Sequence, residues 1–144
     1  MRRSRWSAPE PVFRRRVRDR FRADETGVVA TVVDVRGSAY RRPGAKMLLD
    51  GSGPTGSITA GCLENDLVEA SRRVETTGTA ELVTYDLTGE ADGWGLGVGC
   101  AGVVTVLLEP LSARYRPVVA AFADRRPLGA VTVVADETGP LDPG

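Results

Sequence analysis

The chain has 144 residues, 42% hydrophobic and 26% charged, with 19 basic and 19 acidic side chains in formal balance. This is the size and composition of one folded domain with a respectable core, and no apolar run is long enough to span a bilayer. With no histidine and two cysteines, it excludes a Cys–His nucleophilic pair and falls short of an ordinary zinc ligand set.

The charge is unevenly placed. Residues 1–22 carry nine arginines against Glu10 and Asp19, while the rest of the chain holds ten basic and seventeen acidic residues. Arg2-Arg3 opens like a twin-arginine signal, but no apolar segment follows it, so export is not expected and a cytoplasmic protein is. Two cysteines without a signal peptide read as reduced thiols rather than a disulfide.

In chain order, Phe13, Val17 and Phe21 recur every four residues between arginines and predict a basic amphipathic helix over Pro9–Ala23, within a first region 1–25. Arginines on its outer positions read first as a solvated face and second as a patch for nucleic acid or another anionic partner. Without an accompanying aromatic stacking set, no nucleic-acid partner is expected. Val28–Val35 is almost continuously apolar and β-branched, the pattern of a strand covered on both faces. Arg36–Gly44 reads as a loop, Ala45–Leu49 as a second strand, Asp50–Pro54 as a turn, and Thr55–Thr59 as a short strand. A helix is predicted over Cys62–Thr77, with Leu63, Leu67, Val68, Ser71 and Val74 on one face and Gly78 as its C-cap. Strands follow at Glu81–Asp86 and Val103–Leu108, then a helix over Arg114–Ala123 and a strand over Ala130–Ala135. The expectation is a single mixed α/β (α+β) domain: a short-stranded, mostly buried mixed sheet flanked by helices, with no complete Rossmann unit. The remaining regions are the body, 26–111, and a helix–strand extension, 112–144, where a truncated region could begin.

Both cysteines sit in glycine-rich turns, Gly61-Cys62-Leu63-Glu64 and Gly97-Val98-Gly99-Cys100-Ala101-Gly102. Glycine lets backbone approach a ligand closely, and a helix start near Cys62 would favour its thiolate. Such a thiolate could act as nucleophile, persulfide carrier or soft metal ligand, and Glu64 could serve as a proton acceptor or hydrogen-bond partner beside it. The second turn fits G-x-G-x-x-G letter for letter, but the dinucleotide fingerprint needs a strand before and a helix after, and here a strand follows. Arg36, Gly37, Ser38, Arg41, Arg42, Gly44 and Lys46 combine guanidinium forks with glycine amides, a set suited to phosphate as well as to surface carboxylates.

Taken with Val33–Ala39, Arg42–Met47, Tyr85-Asp86-Leu87 and Trp94–Cys100, the two turns resemble the N-terminal domain of the XdhC/CoxI family, in order and spacing, from about Gly27 to Leu111. Members are accessory proteins of xanthine dehydrogenase, carbon monoxide dehydrogenase and related molybdenum hydroxylases. The resemblance implies a chaperone that binds the molybdenum cofactor (molybdopterin) as cargo, supports its sulfuration and delivers it to the apo-enzyme. By the same resemblance Cys62 and Cys100 are candidate molybdenum ligands. Glu64, Arg36, Gly37, Ser38, Gly44, Lys46, Gly61, Gly97 and Gly99 complete the cofactor-binding set, with no catalytic residue. Implied partners are an apo molybdenum hydroxylase, a cysteine desulfurase and a second copy of the chain in a dimer. The alternative is an enzyme, either a thiol-dependent sulfur transferase or an NAD(P)-linked oxidoreductase, and a third class is an interaction protein whose basic N-terminal helix docks an acidic partner. Two departures stand out: Ala60 and Ala101 replace glycines usual in the family. Typical members also continue into a C-terminal Rossmann-like domain, which these 144 residues do not contain.

Overall fold

The computed structural model describes residues 10–59, 61, 63–88, 101–129 and 131–134. Five strands, β1 (Val28–Ser38), β2 (Lys46–Asp50), β3 (Gly53–Gly56), β4 (Glu81–Asp86) and β5 (Ala101–Pro110), form one sheet in the order β3-β2-β1-β5-β4. Three helices, α1 (Glu10–Arg22), α2 (Glu64–Thr77) and α3 (Arg116–Asp124), cover it. All four strand pairings are antiparallel, where the sequence reading expected a mixed sheet. The β1–β2 and β2–β3 connections are too short for parallel crossovers, which need a dozen or more residues.

The expected α/β domain is there, and its central strands are longer than anticipated. β1 has 11 residues and β5 has 10, and they pair from Val28↔Pro110 to Ser38↔Ala101. The register slips between Val32 and Asp34, leaving Val33 as the extra residue of a bulge. Because of that slip Val32 and Val35 both join the core on the α2 face. Arg36, Gly37 and Ser38 are therefore strand residues, not loop; their backbone groups are taken up by Val103, Gly102 and Ala101. Conversely, Ser57–Thr59 leaves the sheet after Gly56, and residues 131–134 form no strand.

The sheet is buried on two sides by different means. On one face Leu63, Leu67, Ala70 and Val74 of the α2 segment pack with Val28, Ala30, Val32, Met47, Val104 and Val106. On the other, Phe13 and Val17 of α1 and Val119 of α3 close over Val29 and Leu48. Each such side chain contributes about 1.5–3 kcal/mol when fully buried. The alternating apolar β1 residues thus face two cores, which accounts for their near-continuous hydrophobic run. β4, at the sheet edge, has only its Val83 and Tyr85 side packed, and Leu82 on the opposite side stays 48% exposed.

Asp50, at the end of β2, ties α1 to the sheet. Its carboxylate accepts from Arg16 Nε at 3.1 Å and lies 3.6 Å from Arg20 Nε. It also accepts from Ser52, through the backbone N–H at 2.8 Å and the hydroxyl at 2.7 Å. Burial alone would raise the Asp50 carboxyl, but the hydrogen bonds from Arg16 and Ser52 outweigh it and hold the group below the ordinary carboxylate range.

Candidate functional site

The first cysteine turn is built around a buried carboxylate. Helix α2 begins at Glu64 rather than at Cys62, with Leu63 as an N-cap that offers no side-chain bond. Glu64 supplies that bond instead. Its side chain is 1% exposed and accepts from Thr59 Oγ1 at 2.8 Å through each carboxylate oxygen. Oε2 also accepts from the Leu63 backbone N–H at 3.1 Å. Thr59, itself 1% exposed, is held in turn by Ser57, whose hydroxyl donates to the Thr59 carbonyl at 2.9 Å. Glu64 therefore spans the turn from Thr59 to Leu63 and brackets Cys62. As the first residue of the helix, it places its charge where the dipole favours an anion.

Gly61, within the bracket, has φ +110, and a Cβ there would meet nothing within 4 Å among the described residues. The backbone conformation there calls for glycine. Cys62, Cys100, Gly97 and Gly99 lie outside the described residues, as does Ala60.

The flanks of the second cysteine turn reach the same end of the domain. Ala101, directly after Cys100, pairs with Ser38, and Gly102 pairs with Gly37. The fit at Gly102 is tight: a Cβ would fall 2.6 Å from the Ser38 carbonyl oxygen and closer still to that of Arg36. Leu87, leaving β4, donates its N–H to the Gly102 carbonyl at 2.8 Å. Tyr85, two residues earlier, is buried, and among the described residues its hydroxyl has no hydrogen-bond partner of good geometry. Burial raises that phenol well above its ordinary pKa, and the charge of Asp66, in the first turn of α2, holds the proton on further. The start of α2 and the ends of β4, β1 and β5 thus converge.

The other expected site residues are distributed along the sheet. The Arg36 side chain is 81% exposed and lies 3.4 Å from the Asp34 carboxylate on its own strand. Gly44, with φ +97, donates its N–H to the Val32 carbonyl at 2.8 Å. Lys46 opens β2 on the α1–α3 side, where Nζ donates to Thr31 Oγ1 at 2.8 Å. Desolvation lowers the Lys46 pKa, while Glu109 pulls it the other way. Lys46 and Arg36 do not share one loop. Among the described residues no group of three or more His, Cys, Asp or Glu is placed to hold a metal ion, and no helix is long and apolar enough to cross a membrane. Thr59 and Tyr85 are the site residues that reading the chain for ligand types passes over. A threonine five residues ahead of a glutamate has no motif, and Tyr85 in a strand reads as core.

The strands and helices together define a single antiparallel-sheet α/β domain. Residues 21–86 match the model of the XdhC and CoxI family. A probable xanthine dehydrogenase subunit of Bacillus subtilis (strain 168) is 38% identical over 94 residues, covering 64% of this chain and 28% of that protein. A crystal structure of a xanthine dehydrogenase from Bacillus halodurans is similar with a TM-score of 0.63 and 34% identity, over 75% of this chain and 34% of that one. The chain spans about a third or less of the length of these relatives.

Proposed function

We propose that this domain binds the molybdenum cofactor as cargo and assists its maturation and transfer to a xanthine dehydrogenase-type molybdenum hydroxylase. Relatedness to the XdhC and CoxI family supports a role around xanthine dehydrogenase. The finer reading is supported by one observation: Asp66, in the first turn of α2, acts on Tyr85 near the end of β4, and Leu87 just beyond donates to the carbonyl of Gly102, two residues after Cys100. There the two thiolates would serve the soft molybdenum–sulfur end of the cofactor. Exposed Arg36 and the Ser38 hydroxyl, beside the start of β5, would serve its phosphate. Glu64 positions the first turn, since a carboxylate already bonded by Thr59 and Leu63 is committed to structure. Nothing in the site needs turnover; binding, shielding and release suffice. The dinucleotide alternative is disfavoured because a strand, β5, begins at Ala101, where a phosphate-binding helix would have to start.

The test is cofactor binding by the purified chain beside Cys62→Ala and Cys100→Ala, quantifying bound molybdenum and the fluorescence of the oxidised pterin. Near-stoichiometric binding by the wild type that collapses in a cysteine variant is expected. Absence of both signals from the folded wild-type chain would overturn the reading.

A further inference from the structure

The α1–α3 side of the sheet carries a second feature that cofactor handling does not use. A groove of about 1230 Å³ lies between α1, α3, the segment after α3 and the loop leading into β2. Its lining is strongly cationic: Arg15 and Arg18 from α1, Arg41 from the loop, and Arg125 and Arg126 after α3. Arg18 and Arg126 pair with their neighbours Asp19 and Asp124, at 2.9 and 3.2 Å. Among the described residues, Arg15, Arg41 and Arg125 have no such partner. Glu109 is the one carboxylate among the described lining residues, and it accepts from the Tyr115 hydroxyl at 3.2 Å.

The same groove is also apolar. Five large hydrophobic side chains are exposed among the described residues, and three of them line it: Tyr40 at 55%, Leu128 at 47% and Val131 at 96%. Below them lie Phe13 and Val17, both buried. An ordinary small-molecule pocket is a concavity of about 300–1000 Å³ with few charges. This groove is larger, and joins exposed aromatic and aliphatic side chains to a rim of arginines, the composition of a protein-recognition surface. Single-stranded nucleic acid would need a platform of stacking rings, and Tyr40 is the one exposed aromatic among the described residues.

We propose that this groove docks an acidic, amphipathic segment of a partner protein. The segment's apolar side chains sit against Tyr40, Leu128 and Val131, and its carboxylates reach the forks of Arg15, Arg41 and Arg125. Arginine suits this role because its planar guanidinium bonds a carboxylate through two parallel N–H groups. Gly44 and Lys46 of the expected cofactor set and Arg41 of the phosphate-suited set also line this groove, but the proposal invokes none of the residues that flank the cysteine turns, nor Arg36 and Ser38.

Fluorescence anisotropy of a labelled synthetic peptide tests it, with leucines at helical spacing and glutamates between them. Controls are the same peptide with lysine for glutamate, polyglutamate, and a single-stranded oligonucleotide as competitor. The glutamate peptide is expected to bind, more tightly at low salt, and Arg15→Glu with Arg41→Glu to weaken it by about tenfold or more. Leu128→Ala is expected to weaken binding without changing its salt dependence. All three positions are exposed, and an unchanged circular dichroism spectrum confirms that each variant is folded. The proposal is overturned if the lysine peptide binds as well, if polyglutamate matches the amphipathic peptide, or if the oligonucleotide displaces it at lower concentration.

Discussion

Glu64 shows how much a single residue can decide. A carboxylate buried to 1% exposure is tolerable only if its lone pairs are used, and here Thr59 and Leu63 use them. Thr59→Val keeps the volume but removes the hydroxyl donor. It is expected to destabilise the fold by about 1–3 kcal/mol, the cost of an unsatisfied buried group. Urea unfolding of the two proteins reads this as a lower midpoint, and an unchanged midpoint would show that the Thr59 bond carries no weight. The sequence made Glu64 legible as a residue of interest through its place beside Cys62, as a proton acceptor or hydrogen-bond partner. Its actual partners are a hydroxyl and an amide that only the folded turn brings together. Arg36 and Lys46 were legible as cations, but not their separation, because the bulge at Val33 and the extension of β1 to Ser38 are set by pairing with β5.

Among the elements, those read from periodicity alone match best. Phe13, Val17 and Phe21 gave α1 to within a residue at each end, and Glu81–Asp86 is β4 as expected. Gly78, with φ +67, caps α2 by donating to the Val74 carbonyl at 2.8 Å. What local pattern could not disclose is where a strand stops, since that depends on its neighbour: β1 and β5 each outrun their apolar segments because they pair with one another. The tightest contact of that pair is at Gly102. Gly102→Ala drives a methyl into the carbonyls of Arg36 and Ser38, at an expected cost of about 1–3 kcal/mol. Hydrogen exchange localises the damage: protection of the Leu87 amide, which bonds the Gly102 carbonyl, is expected to fall while that of Val29 holds. Equal protection of Leu87 in both proteins would contradict this account of the strand ends.

For the whole molecule, the attachment of the α1–α3 layer to the sheet depends on pH through Asp50. The Asp50 carboxyl is depressed in the folded state, so its contribution is present in full above the unfolded value of 3.8 and is lost as pH falls through the folded one. Stability is therefore expected to drop below about pH 4. Asp50→Asn is expected to be less stable by about 2 kcal/mol at pH 7, with a flatter acid limb. Urea midpoints for both proteins between neutral pH and pH 3 check the two statements together; parallel curves would remove Asp50 from the explanation.

The strand order has a consequence for how the chain is made. β1 sits at the centre of the sheet, yet its long partner β5 starts more than sixty residues later, so residues 28 and 110 must find each other across most of the chain. As the polypeptide leaves the ribosome, β1, β2 and β3 can pair at once. They must then wait, with one apolar edge of β1 open, until α2 and β4 have been synthesised and β5 arrives. Such non-local closure is slow, and an open edge is the template on which chains aggregate. The vulnerable moment for this protein is thus its synthesis, and the interval is set by the length of chain between Ser38 and Ala101.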